Sequence, residues 1–118
     1  MTTLSVVVQC VLALGFLMFG LMKFGSKQMV DEFKRYGLST GFRIFTAVVE
    51  VGSAALLAFG IWKEQLAAIG GLAVVVTMIG AIVTHARVKD PAARMGMPLV
   101  LLLLGLVVLF MNWGALLG

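Results

Sequence analysis

Arg43, Thr46, Glu50 and Ser53 follow one another at steps of three, four and three in a stretch that is otherwise apolar. On an α-helix that spacing places all four on one face. Glu50 lies near the middle of the stretch, in Thr46-Ala-Val-Val-Glu50-Val-Gly-Ser53-Ala-Ala-Leu-Leu. A carboxylate at mid-bilayer depth costs at least about 2.5–3.5 kcal/mol, so it must carry a proton, meet a cation or face the inside of a bundle. Lys23 and the only histidine, His85, are the other chemistry-bearing groups beside apolar sequence. Together these six residues form a candidate ligand-binding set. Glu50 would accept a hydrogen bond or a proton, Arg43 and Lys23 would hold a polar end, and His85 could relay protons. Arg43 and Glu50 are separated by about 10.5 Å of helical rise, so they meet only by stretching toward each other or through a bridging water or ligand. The expected shape is a pocket with a basic mouth and an acidic floor, its mouth made more positive by a helix N-terminus. The structural alternatives are that Lys23 and Arg43 snorkel to phosphates, that His85 is an interfacial polar residue, and that Glu50 locks the bundle register through a buried hydrogen bond.

Other chemistries find little support. The apolar segments hold no second carboxylate, no His or Cys cluster at metal-ligand spacing and no glycine-rich phosphate loop. Ser53 has no base beside it, and one cysteine makes neither an intramolecular disulfide nor a redox pair, so Cys10 is expected to pack between helices. No residue is assigned a catalytic role and no metal or other cofactor is expected within the chain. A quinone or lipid remains compatible with the pocket, which would make the protein at most an oxidoreductase-associated subunit.

The elements that must position these residues are membrane spans. Of 118 residues 62% are hydrophobic and 12% charged, which excludes an ordinary water-soluble domain. Four segments, 4–22, 42–62, 66–86 and 97–117, each approach the roughly 20 residues that a hydrocarbon core requires. The expected fold is therefore an all-α, four-transmembrane-helix bundle forming one domain over residues 1–118. Residues 1–9 carry no cation and no cleavage pattern follows, so the first segment is expected to be retained. The first connection has the pattern of a short amphipathic helix over about 26–36. Ser26 caps it, Met29, Val30, Phe33 and Tyr36 share a face, Lys27, Asp31 and Arg35 can pair at i,i+4, and Gly37 ends it. Such a helix either lids the bundle or serves as a solvated connector. Lys63-Glu64-Gln65 is too short for anything but an antiparallel turn between the second and third spans. Asp90-Pro91 breaks the chain after the third span, and Pro98 is expected in the first turn of the fourth. Gly70, Gly71, Gly80 and Ala81, with Ala54 and Ala58, offer small residues for close helix approach.

Net charge is +4, and its distribution points to topology rather than nucleic acid. Lys23, Lys27, Lys34, Arg35, Arg43, Arg87, Lys89 and Arg94 fall at one membrane face and only Lys63 at the other. The positive-inside rule then places both termini outside a bacterial inner membrane, with Trp62 and Trp113 at the outer interface.

Several of these residues carry a family resemblance. Gly15-Phe-Leu-Met-Phe-Gly20-Leu-Met-Lys23-Phe24, Tyr36-Gly37-Leu38, Val49-Glu50-Val51-Gly52 followed by Leu56-Leu57-Ala-Phe-Gly60, and Met78-Ile-Gly-Ala81-Ile-Val-Thr-His85 resemble the DoxX family of small bacterial membrane proteins. Unlike longer members, the sequence stops soon after Trp113 without a Gly-Pro-Gly tail. The resemblance implies a four-helix membrane bundle related to DoxD-type quinone-linked oxidoreductase subunits and to a membrane protein needed for methylamine dehydrogenase maturation. It also implies a shared site at Lys23, Glu50 and His85. Three functional readings follow: an accessory to membrane redox or stress physiology that binds a lipidic or quinone-like molecule, an assembly factor or chaperone for a membrane protein partner, and a small proton-coupled transporter. The last is opposed by the position of Glu50 in the second span and by the one-sided charge. A homodimer is compatible with all three.

Overall fold

The structure, a computed structural model, describes residues 3–117, the side chain of Leu116 excepted. Residues 1, 2 and 118, the ends of the expected domain, lie outside the described residues. Among the described residues there are helices and turns and no strand. In chain order the helices are α1 (Thr3–Gly25), α2 (Lys27–Tyr36), α3 (Thr40–Phe59), α4 (Glu64–Arg87), α5 (Ala92–Met111) and α6 (Trp113–Leu117). Four of them, α1, α3, α4 and α5, are long and apolar enough to cross a membrane.

α1 packs chiefly on α3, and α4 on α5; α3 and α4, antiparallel across the turn at residues 60–63, join the two pairs. Leu12, Phe16, Leu57, Val74 and Val108 are fully enclosed at the centre, while Leu14, Phe45, Val76 and Phe110 project outward. Lipid tails are as apolar as these side chains, so close van der Waals fit has to hold the helices together. Small residues make that fit. A Cβ added at Gly71 would lie 2.9 Å from the backbone nitrogen of Leu109, and one at Gly60 would lie 2.6 Å from the Cα of Ala67. Gly70 lies against Leu57 in the same way. Gly80 does not: nothing stands within 4 Å of where its Cβ would be. The expectation of close approach there is corrected, because Gly80 borders an open cavity.

The short helix is capped as its sequence predicts. Met29 N–H donates to Ser26 Oγ at 3.2 Å, and Gly37 adopts the left-handed conformation at φ 75°, its N–H returning to the Lys34 carbonyl. Leu38 N–H closes the motif on the Phe33 carbonyl at 3.0 Å. The fourth span differs from expectation. α5 starts at Ala92, so Pro98 is inside the helix and not in its first turn. The chain bends out at Asn112, so the expected span over 97–117 is divided between α5 and the short α6. Asn112 ends α5 because its Nδ2 donates back to the Val108 carbonyl at 2.8 Å and across to Ser5 Oγ at 3.0 Å. Ser5 Oγ donates to Gln9 Oε1 at 2.7 Å, and Gln9 Nε2 donates to the Leu57 carbonyl at 3.0 Å. This buried network fastens α1, α3 and α5 at the end of the bundle remote from α2. Cys10 is exposed and does not pack between helices, since the buried stripe of α1 runs through Ser5, Gln9, Leu12 and Phe16.

Candidate functional site

α1 delivers Lys23 in its last turn, and α3 delivers Glu50 midway along its length. Lys23 Nζ lies 3.0 Å from Glu50 Oε1 and 3.1 Å from Oε2, so the ammonium straddles the carboxylate. Only 4% of the Glu50 side chain and 16% of the Lys23 side chain are exposed, which shields the pair from solvent. The Lys23 ammonium also sits 5.7 Å from the centre of the Phe19 ring, within cation–π range. The cation that Glu50 required is therefore Lys23, one helix away, and not Arg43 on its own helix.

Arg43 is itself buried, and its guanidinium donates to the carbonyls of Lys23 and Phe24, the latter at 2.9 Å. A cation on the last carbonyls of α1 complements the negative end of that helix and pins the backbone that carries Lys23. Neither the expected arrangement of Arg43 facing Glu50 nor its snorkelling alternative is realised. Ser53 is buried and donates to the Val49 carbonyl at 2.7 Å. The remaining members of the predicted set, Lys23, Thr46, Glu50 and His85, line one groove of about 700 Å³, and Arg43 and Ser53 do not. That volume lies within the range of roughly 300–1,000 Å³ typical of small-molecule sites.

The groove exists because α3 and α4 close tightly near their connecting turn and stand apart toward the other membrane face. Phe42, Phe45, Val76 and Val83 form its exposed rim. Phe19 and Leu101 belong to its inner wall. Thr46 donates to the Phe42 carbonyl at 2.9 Å, Thr77 to Ala73 at 2.8 Å and Thr84 to Gly80 at 2.8 Å. These hydroxyls spend their hydrogens on their own helices and turn acceptor lone pairs to their surroundings. The result is an apolar slot, open sideways, whose inner polar feature is an ion pair with no net charge. The expected basic mouth over an acidic floor is replaced by this neutralised pair.

α2 covers the loop end of the groove, contributing Met29, Phe33 and Tyr36, with Phe33 buried. It acts as a lid, and it is latched. Arg35 reaches from α2 to Asp90 in the α4–α5 loop, with Nη1 to Oδ1 at 2.7 Å and Nη2 to Oδ2 at 3.1 Å. Arg35 also holds Glu32 at 2.8 Å, and Tyr36 Oη donates to Glu32 at 2.9 Å. The expected Lys27–Asp31–Arg35 ladder does not form, because Arg35 is turned toward Asp90. His85 Nδ1 lies 2.5 Å from Asp90 Oδ2, and the His85 ring meets Tyr36 edge to face with centroids 5.7 Å apart. The Arg35 bonds, then His85, hold the Asp90 carboxyl near 2, well below its ordinary 3.8. Arg35 likewise lowers Glu32, and burial followed by the bond to Glu32 pushes the Tyr36 phenol up to about 12. These shifts keep both acids ionised and the phenol protonated near neutral pH.

Glu32 and Asp90, and at the other end Ser5, Gln9 and Asn112, were not singled out from sequence. Gln9 carried the same signal as Glu50, a polar side chain deep in an apolar span. Asp90 carried none, since a carboxylate before proline reads simply as a helix break and Arg35 lies far away in the chain. Among the described residues no group of His, Cys, Asp and Glu could hold a metal ion.

A family model described as the DoxX-like family matches residues 7–108, a region that contains Lys23, Glu50, His85 and the α2 lid. No curated protein and no solved structure matches the chain. With four membrane-crossing helices and a match over most of its length, this multi-pass membrane protein belongs to the DoxX-like family.

Proposed function

We propose that the protein binds a lipidic or quinone-like small molecule in the groove between α3 and α4, as an accessory to membrane redox or stress physiology. The observation that carries this reading is the Lys23–Glu50 pair set inside an apolar slot with an exposed, lipid-level rim. A neutral ion pair suits a polar head that is itself uncharged. Lys23 donates to a ligand carbonyl, and Glu50 accepts from a ligand hydroxyl, while aromatic and aliphatic walls hold a ring or chain. The sideways mouth suits a molecule already dissolved in the bilayer. The one-sided distribution of cations supports an inner-membrane orientation with both termini outside.

Native mass spectrometry of protein released from mild detergent tests the reading. Wild type is expected to carry a stoichiometric quinone, isoprenoid or lipid that fragmentation identifies, and Glu50→Gln is expected to lose it. A folded wild-type protein that retains only heterogeneous phospholipid contradicts the reading and favours an assembly factor.

A further inference from the structure

A second cavity, of about 470 Å³, lies outside the groove between α2 and the start of α5. Its own lining is Gln28, Glu32, Ala93 and Arg94, which are polar or lie at the loop face. It shares Met29, Tyr36, His85, Met97 and Pro98 with the groove. Tyr36 and His85, in edge-to-face contact, thus stand in a common wall between a polar vestibule and a membrane-embedded slot.

The chemistry of the wall is directional. Asp90 is an ionised acceptor, so the hydrogen of the His85–Asp90 bond resides on Nδ1, and Nε2 is the ring nitrogen outside that bond. Asp90 is in turn fixed by two bonds from Arg35, so the ring is held in one orientation by charges of the lid and the α4–α5 loop. Tyr36 cannot do the same work, because its hydroxyl is committed to Glu32. Among the residues shared by the two linings, His85 alone has an exchangeable ring nitrogen, Nε2, outside the bond to Asp90.

We propose that His85 is the proton port of the groove. It exchanges protons between the aqueous vestibule and a hydroxyl-bearing ligand seated in the slot. This step rests on the ligand-binding reading above. A ligand hydroxyl on the His85 side of the groove gives its proton to Nε2, leaving an oxyanion there; Nε2 then passes that proton to vestibule water, and the reverse order reprotonates the ligand. No electron moves and no bond between heavy atoms changes. The charged and titratable groups around the port are Glu32, Arg35 and Tyr36 on α2, Arg87 on α4, Asp90 in the loop and Arg94 on α5. Lys23 and Glu50 lie across the groove.

Because His85 is the only histidine, deuterium exchange at its imidazole C2–H, read by mass spectrometry in nanodiscs at fixed pH, reports its access to water. Ala93→Trp, which fills the vestibule at an exposed position, is expected to slow exchange severalfold. Ala81→Leu, which fills the groove, is expected to leave it unchanged. A rate unaffected by Ala93→Trp overturns the proposal. A second experiment follows a decyl-substituted 4-nitrophenol bound in the groove after a pH jump, with empty nanodiscs as background. Its colour change is expected to lag in both His85→Phe and Ala93→Trp, and wild-type rates in both variants overturn the proposal. If the phenol gives no spectral shift on binding, the ligand reading of the groove fails for this class, while the deuterium experiment still decides the port.

Discussion

Removing either partner of the Lys23–Glu50 pair strands the other in surroundings that solvate charge poorly. Lys23→Met is therefore expected to destabilise the bundle by roughly 3–5 kcal/mol, and Lys23→Met combined with Glu50→Gln to recover most of that loss. Reversible unfolding in mixed micelles measures both; equal stability of the single and double variants would show that the pair is not coupled. Arg43→Gln tests the helix-end role. By uncovering the carbonyls of Lys23 and Phe24 it is expected to weaken ligand retention through displacement of Lys23, although Arg43 itself does not line the groove. At this scale the sequence was most legible where a residue contradicted its neighbours. Glu50 announced itself, and its partner did not, because Lys23 at a helix end is what most spans have. The stripe of Arg43 and Ser53 was real as a helical face and still misleading, since each of them bonds to backbone.

The lid α2 depends on the same logic of paired charges, and its dependence has a pH window. Asp90 is held near 2 against an ordinary 3.8, so bonding to Arg35 favours the ionised form. The latch is fully made above the ordinary value and is lost as pH falls from 3.8 toward 2. Glu32, lowered from 4.5 chiefly by Arg35, loosens in the same direction. A spin label at exposed position 31 is expected to be immobilised near neutral pH and to become mobile on acidification, and Asp90→Asn to show the mobile spectrum already at neutral pH. An unchanged spectrum in Asp90→Asn would mean that apolar contacts alone seat the lid. The helix itself was fully legible from Ser26, its apolar face and Gly37, all local signals. Its docking was not, because Arg35 and Asp90 meet only through the tertiary fold. Among the spans, Gly71→Ala is expected to cost about 1–3 kcal/mol, since rigid backbone of Leu109 stands where the methyl would go. Gly80→Ala, with open space around it, is expected to stay within about 0.5 kcal/mol. Thermal unfolding of the two variants side by side checks the contrast.

The whole molecule is a bundle fastened at one end and parted at the other. Ser5, Gln9 and Asn112 bond three helices together at the closed end, and Gly60, Gly70 and Gly71 bring backbones into contact on that side. Toward the loop face α3 and α4 part around Glu50, and α2 closes the top, which leaves a slot open along its side past the exposed Phe45 and Val76. Four spans, their order and the antiparallel turn were legible from hydropathy and loop length. The parting of α3 from α4 was not: Gly70, Gly71 and Gly80 look alike in sequence, and only packing decides which are filled. The fourth span was displaced for a related reason, because Asn112 ends α5 through a bond to Ser5 at the far end of the chain.

The central claim is that a bilayer-dissolved molecule enters between α3 and α4 and seats its head on the Lys23–Glu50 pair. Photocrosslinking with a diazirine-bearing alkyl ubiquinone in nanodiscs, followed by peptide mapping, tests it most directly. Labelling is expected on the facing segments of α3 and α4 around Phe45, Thr46, Thr77 and Gly80, and it should be lost in Glu50→Gln. Labels scattered over the outward faces at Leu14, Leu103 and Phe110, equal in wild type and variant, would contradict it.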